Sequence, residues 1–195
     1  MVATFTLPFL AAREANAPQV FISGMGSFST VAMLPNHRIF SQGKYEAAEP
    51  LFKQAIEICK IALPPNHPLH STCLHNLALL YKYQGKYEAA EPLYKQVIEI
   101  DKIALPPNHP DIAMDLNDLA SLYFFQGKCE AAEPLFKQAI EIVKVALPPN
   151  HPYLVTYLSN LSGLYFFQGK LKQALDIFGQ IIRATLQRSR QQQQS

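Results

Sequence analysis

The sequence has no tryptophan, little charge and few cysteines. Only 16% of its 195 residues are Asp, Glu, Lys or Arg, where about 25% is usual. The net charge is +2, so bulk positive charge does not hold this chain to nucleic acid. At 49% hydrophobic it is too apolar for a disordered acidic or basic chain. Cys59, Cys73 and Cys129 cannot all pair and form no CxxC. That argues against a disulfide framework or a zinc knuckle and for buried thiols. No apolar run reaches the roughly 18 residues that cross a bilayer. No Gly-rich phosphate loop or nucleophile elbow is present.

What the sequence does have is proline, 15 residues of it, and a 42-residue period. Gly43, Gly85, Gly127 and Gly169 recur in Gln-Gly-Lys at intervals of 42. Asn-His-Pro recurs at Asn66, Asn108 and Asn150. Residues 42–68 and 84–110 agree at 24 of 27 positions, and 84–110 and 126–152 at 22 of 27. Such identity reflects duplication. Twelve of the 15 prolines lie in the repeated unit, so they punctuate a fold and do not mark disorder.

Each unit predicts two helices. The first spans about 69–83, with Leu74, Leu77, Ala78 and Tyr81 on one apolar stripe. Pro68, Pro110 and Pro152 suit helix starts, and Gly85, Gly127 and Gly169 suit left-handed caps at helix ends. The second helix spans about 87–104. Ala90, Leu93, Val97 and Ile100 form its stripe beside Tyr94, and Leu105-Pro106-Pro107 ends it. Pro92, like Pro50 and Pro134, falls in the second turn, where it removes one backbone bond. Two such helices cannot bury their stripes alone, whereas stacked units can.

The offsets of Leu77, Ala78, Tyr81, Gly85, Ala90 and Tyr94 resemble the tetratricopeptide repeat. The 42-residue unit, with Gln-Gly-Lys-Tyr-Glu-Ala-Ala-Glu-Pro-Leu and Asn-His-Pro, is similar to the kinesin light chain type over roughly 36–188. The resemblance implies an all-α, tetratricopeptide-like α-solenoid of antiparallel helix pairs. It also implies a non-catalytic scaffold whose first helices line a concave groove for a protein or peptide.

The period breaks at the start. Asn66 and Asn108 precede the next Gln-Gly-Lys by 18 residues, but Asn36 precedes Gln42 by 6. The twelve missing residues are a first helix. One orphan helix, about 44–62, therefore precedes three pairs: 1–35 is a poorly ordered leader, 36–68 a truncated repeat, 69–188 three full repeats and 189–195 a disordered Gln-rich tail. The orphan leaves Ala48, Leu51, Ala55 and Ile58 partly uncovered. Residues 1–35 fold over this face, a second chain covers it, or it stays exposed. Stacking of copies through the uncapped 44–62 helix would make the chain a structural, self-assembling repeat fragment of a larger multidomain protein. The leader contains an apolar stretch and Ala15-Asn16-Ala17, but lacks the basic n-region of a secretory signal. A cytoplasmic location is expected. At the other end, helix 170–187 is expected to cap the stack, with Ala174, Phe178 and Ile181 inward and Lys172, Asp176, Gln180, Arg183 and Gln187 outward. Gly179 within it costs about 1 kcal/mol against Ala.

Second helices and linkers barely differ between units, but first helices do. Residues 69–83 and 111–125 agree at 5 of 15 positions, all of them packing residues. At 100° per residue the groove-facing positions are Thr72, His75, Leu79, Lys82 and Tyr83 in one unit. In the next they are Met114, Asn117, Ser121, Phe124 and Phe125, and in the last Thr156, Ser159, Gly163, Phe166 and Phe167. Contiguous exposed aromatics mark binding surfaces, although the second of each pair could equally pack on a neighbouring helix. Asn117, Phe124, Phe125 and Phe166 are the expected anchors. Kinesin light chains carry Leu-Asn-Asn-Leu-Ala on first helices, here only partly kept at 74–78, 116–120 and 158–162. Their basic groove residues reduce here to Lys82, so acidic-peptide binding does not carry over. No heptad segment joins a motor chain.

Catalysis is not expected, nor is a cofactor or a metal. His67, His109 and His151 lie one repeat apart, at least a helix-packing distance of about 8–10 Å; they read as turns that start helices. Glu46/Glu49, Glu88/Glu91 and Glu130/Glu133 read as solvated pairs balanced by Lys53, Lys95 and Lys137. The three cysteines fall at non-equivalent places in the repeat, so no shared role follows. Neither nucleic acid nor membrane is an expected partner: Arg183, Arg188 and Arg190 read as a solvated tail.

Overall fold

The structure, a computed structural model, describes residues 42–149 and 151–192. Expectations about residues 1–41, including the leader and its signal-like stretch, lie outside the described residues, as do Asn150 and 193–195. Seven helices and no strand occur among the described residues. They are α1 (Gln42–Ala62), α2 (Pro68–Tyr83), α3 (Tyr87–Ala104), α4 (Pro110–Phe125), α5 (Cys129–Ala146), α6 (Pro152–Phe167) and α7 (Leu171–Gln192). α2 pairs with α3, α4 with α5 and α6 with α7, and each pair packs on the one before, with α1 against α2. Among the described residues this is an all-α solenoid of one unpaired helix followed by three pairs.

The turns explain why the chain folds this way. Gly85, Gly127 and Gly169 sit at φ +72°, +74° and +71°, where any side chain would be strained. Gly85 N–H donates to Lys82 C=O and Lys86 N–H to Tyr81 C=O, a Schellman closure. At the other turn, Asn66 and Asn108 also take positive φ, 63° and 64°, which Asn tolerates better than most residues. His67, His109 and His151 then act as N-caps. Their Nδ1 atoms accept the backbone N–H of Leu69, Asp111 and Tyr153 at 3.1–3.2 Å. Prolines 68, 110 and 152 follow as first helical residues. The repeated histidines are caps, as their spacing implies. Pro92 and Pro134 are exposed, and their helices run through them.

The core is a single layered cluster. Leu74, Leu77, Ala78 and Tyr81 of α2 are buried, as are Ala90, Tyr94, Val97 and Ile100 of α3. Burying one such large side chain contributes about 1.5–3 kcal/mol. Each second helix uses two faces, one against its own first helix and one against the next. The second face carries a recurring clasp. Glu49, Glu91 and Glu133 each accept from a tyrosine hydroxyl of the next first helix, namely Tyr81, Tyr123 and Tyr165, at 3.0–3.2 Å. The same carboxylates accept from Lys86, Lys128 and Lys170 of the next repeat at 3.1–3.2 Å. Each of those ammonium groups also lies 5.4–5.5 Å from the ring of that tyrosine. These glutamates therefore join repeats, which corrects the reading of them as merely solvated pairs.

A second correction concerns the thiols. Cys59 of α1 and Cys73 of α2 lie 3.7 Å apart, both reduced and buried. They occupy different places in the repeat, yet they are the two sides of one contact. One repeat later the equivalent positions hold Asp101 and Asp115, and two later Val143 and Tyr157.

The two ends match expectation only in part. In α1, Ala48 is buried, while Leu51, Ala55 and Ile58 are half-buried. At the other end α7 caps the array only in part, because Phe178 does not point inward: it is 54% exposed. Ala174 is buried and Ile181 packs against the core, so only part of the expected inner face is covered. The helix also runs to Gln192, past the expected end at 187 and into the segment read as a tail.

The cap geometry is testable. His109→Ala should lower unfolding free energy by about 1 kcal/mol, and His109→Asn by much less, because Asn retains an N-cap acceptor. Urea unfolding followed by circular dichroism measures both.

Candidate peptide-binding groove

The first helices α2, α4 and α6 lie side by side, and α4 touches α6 directly. Their variable positions form one surface whose character changes along the stack.

At the α2–α4 junction it is charged and tied down. His75 Nδ1 lies 2.9 Å from Asp115 Oδ1, and His75 Nε2 lies 3.5 Å from Asp118 Oδ2. Lys82 Nζ donates to Asp118 Oδ1 at 3.2 Å. The His75 ring also meets Tyr94 edge-on, with centroids 5.7 Å apart. Two predicted groove residues, His75 and Lys82, are therefore locked into an interhelix network and are largely covered. Burial alone would lower the His75 pKa. The Asp115 hydrogen bond and the nearby Asp118 outweigh it and hold the ring above its ordinary value. Behind them, burial pushes Asp101 from its ordinary 3.8 up to about 7, with Asp115 adding to the rise and the Ser71 hydrogen bond opposing it. Asp115 is raised too, by burial against the pull of His75.

At the α4–α6 junction the surface turns polar, then aromatic. Asn160 Nδ2 donates to Asn117 Oδ1 at 2.8 Å. Asn117 is buried, so this predicted anchor is a rung between two first helices. Phe124 meets Phe167 edge-on at 5.4 Å and Phe125 at 5.8 Å. Phe125 in turn stacks on Tyr87 of α3, at 6.2 Å and 14° between planes. Phe124 is half-buried, while Phe125, Phe166 and Phe167 are 57%, 70% and 68% exposed. Tyr83 is exposed, Leu79 and Ser121 are half-buried, and Ser159 is exposed while its hydroxyl donates to Val155 C=O.

The structure thus brings Phe124, Phe125 and Phe167 together and extends them with Tyr87, which sequence reasoning missed. Tyr87 lies on a second helix, outside the first-helix positions compared between units. Asp115 was missed as well. Its signal was present: positions 59, 101 and 143 change together with 73, 115 and 157.

A surface of this kind can hold a ligand by stacking and apolar contact. Among the described residues no group of three His, Cys, Asp or Glu side chains is placed to hold a metal ion, and no helix is long and apolar enough to cross a membrane.

A stack of helix pairs whose first helices share one variable face defines a class of repeat proteins. The tetratricopeptide repeat model matches residues 39–103 and 111–187, and the chain belongs to that family. Its repeats are of the kinesin light chain type. A Podosopora anserina putative kinesin light chain structure with nearly identical TPR-like repeats superposes with a TM-score of 0.66. It shows 26% identity over 76% of this chain and 70% of that one. BtubC (BKLC) from P. vanneervenii shares the fold at a TM-score of 0.70 with 20% identity, over 75% of this chain and 59% of that one. Aspartyl phosphate phosphatase F from Bacillus subtilis shares it at 0.66 with 18% identity, over 75% and 37%. No curated protein matches the chain.

The buried acids give the fold a pH dependence. Because Asp101 is raised in the folded state, its contribution is fully present below 3.8 and is lost as pH rises through about 7. His75 and Asp115, also raised, act in the same direction. The Lys95 hydrogen bond, aided by those of Lys128 and Tyr123, lowers Glu91 to about 2 despite some burial. Glu49 and Glu133 fall to about 2 in the same way, through Lys53 and Lys137. Their contribution is present above 4.5 and is lost as pH falls toward 2. Thermal melts should therefore show Tm falling from about pH 5 to about pH 8 as well as below about pH 4.5. Asp101→Asn should flatten the upper limb and leave the lower one.

Proposed function

We propose that the chain is a non-catalytic interaction scaffold that holds a protein or peptide against the first-helix face. Tetratricopeptide repeats commonly serve as interaction scaffolds, and the fold belongs to that family. The observation that carries the reading here is the cluster of Phe124, Phe125 and Phe167, with Phe166 exposed on α6 beside Phe167 in sequence. Three of these rings are more than half exposed, and exposed aromatic clusters are enriched among binding hot spots. With His75 and Lys82 engaged by Asp115 and Asp118, the α2 end offers shape and the α4–α6 end offers affinity. The partner this favours is an apolar or aromatic segment, not an acidic one. Nucleic acid and membrane are no part of the proposal. Three free thiols fit a reducing, cytoplasmic setting.

The alternative, stacking of copies through α1, draws support from the repeat comparison. Ala55 and Ile58 are half-buried where their counterparts Val97 and Ile100 are buried. Light scattering across concentration distinguishes this stacking, which grows in mass, from a scaffold that does not.

The groove reading predicts that Phe125→Ala combined with Phe166→Ala reduces capture of a bound partner by about 10-fold or more, with helicity unchanged. Asn117→Ala should instead lower stability, because it leaves the Asn160 amide without its acceptor. Unchanged capture by the double phenylalanine variant defeats the reading.

A further inference from the structure

Along α7 runs a second apolar surface that the groove does not use. Leu171, Leu175, Phe178, Ile182 and Leu186 are 56%, 69%, 54%, 46% and 53% exposed. Spacings of 4, 3, 4 and 4 place them on one helix face, about 22 Å long at 1.5 Å per residue.

In the interior of the array the equivalent positions of the second helices are buried or joined to the next repeat. Cys129, Phe136 and Ile140, equivalent to Leu171, Phe178 and Ile182, are buried there. Glu133 stands at the position of Leu175 and clasps Tyr165 and Lys170. α7 is not simply this face left bare. The clasping glutamate of the three earlier units has become Leu175, and the lysine of position 144 has become Leu186. Those changes remove what grips a following repeat and lengthen the apolar stripe. The Leu-Pro-Pro-Asn-His-Pro that folds a first helix onto α5 is replaced by Ser-Arg-Gln-Gln-Gln-Gln at 189–194, and α7 continues to Gln192.

The stripe is also its own complement. Pairing α7 antiparallel with a second copy, about a two-fold axis between 178 and 179, sets Leu171 against Leu186, Leu175 against Ile182 and Phe178 against Gly179. Gly179 fits this arrangement. A glycine inside a helix is unfavourable. Its φ is not in the left-handed region, and a Cβ added there meets nothing within 4 Å. Packing within the chain does not call for it, whereas the opposing Phe178 ring does. The five side chains expose about 500 Å² per chain, so a pair buries at most about 1,000 Å² through them, the size of a weak, reversible interface. The 4-3-4 spacing is that of an apolar seam between two helices.

We propose that α7 is a homodimerisation helix, pairing antiparallel with α7 of a second copy. The two subunits are then joined at their C-terminal ends, and the first-helix faces of both remain open for partners. The arrangement is isologous and closes at two copies.

Analytical ultracentrifugation of the full chain tests it. The wild type should sediment at twice 21.9 kDa at tens of micromolar and dissociate on dilution. Leu175→Glu alone and Ile182→Lys alone should each weaken the dimer by about 10-fold or more. The double variant Leu175→Glu/Ile182→Lys should recover it, since the carboxylate introduced on one copy then faces the ammonium introduced on the other. These positions are solvent-facing within the chain, so circular dichroism should not change. Gly179→Ala separates dimerisation from folding: it should raise Tm through helix propensity and weaken the dimer. A monomer at about 100 µM, where a dimer of this affinity class is populated, overturns the proposal. So does a dimer indifferent to Leu175→Glu, which assigns association to α1 or elsewhere. Mass that grows without limit, the mark of head-to-tail stacking, and no recovery in the double variant overturn it as well.

Discussion

Everything in this fold depends on one requirement: each second helix must cover two first helices at once. A pair of 16- and 18-residue helices carries more apolar surface than the pair can hide between its own members. The surplus on α3 and α5 is satisfied only by the next repeat. The low charge of the chain follows from this. Helices buried on two faces have little room for ionic side chains, and several of the charges that remain join one repeat to the next. The Glu–Tyr–Lys clasp is the clearest case, since it sits at every junction in the same geometry. Each ion pair in it is partly exposed and contributes modestly. Its repetition nonetheless sets register between units.

The same requirement explains why function is placed where it is. A helix fully engaged on two faces cannot vary, so second helices and linkers are near copies. First helices have one face free of packing duty, and on that face the units diverge. The divergence is graded. Between α2 and α4 it makes a buried network of His75, Asp115, Asp118 and Lys82. Between α4 and α6 it makes an asparagine rung and a group of phenylalanines. One repeated backbone thus carries a rigid half and an adhesive half. Among the described residues, no first helix packs on the outer side of α1 or of α7, and α7 carries the longer apolar face.

Much of this was legible in particular residues. Gly85 and its copies, Pro68 and its copies, and the Leu74–Tyr81 stripe placed six helices to within a residue or two at nearly every end. Period alone gave the stacking. Less legible were the interactions between elements. Glu91 reads as a surface charge until Tyr123 and Lys128 are seen beside it. Cys59 and Cys73 read as unrelated until they meet. Asn117 reads as a groove residue because helical angle says which way a side chain points, not which neighbour waits there. Phe178 reads as inward because its equivalents Tyr94 and Phe136 are buried, whereas on α7 the same position is exposed.

By itself, then, the sequence determined the unit: two helices, two turns, a 42-residue period and the positions free to vary. These are local properties, set by φ preferences, N-cap acceptors and the helical periodicity of about 3.6 residues. Only the tertiary structure decided which variable side chains are locked and which are available. It also decided that three glutamates act as clasps, that Cys59 and Cys73 share one seam, and that the last helix keeps an apolar face to solvent. Burial and pairing across repeats depend on distances between residues about 14 to 43 positions apart, and those distances exist only once the helices have stacked.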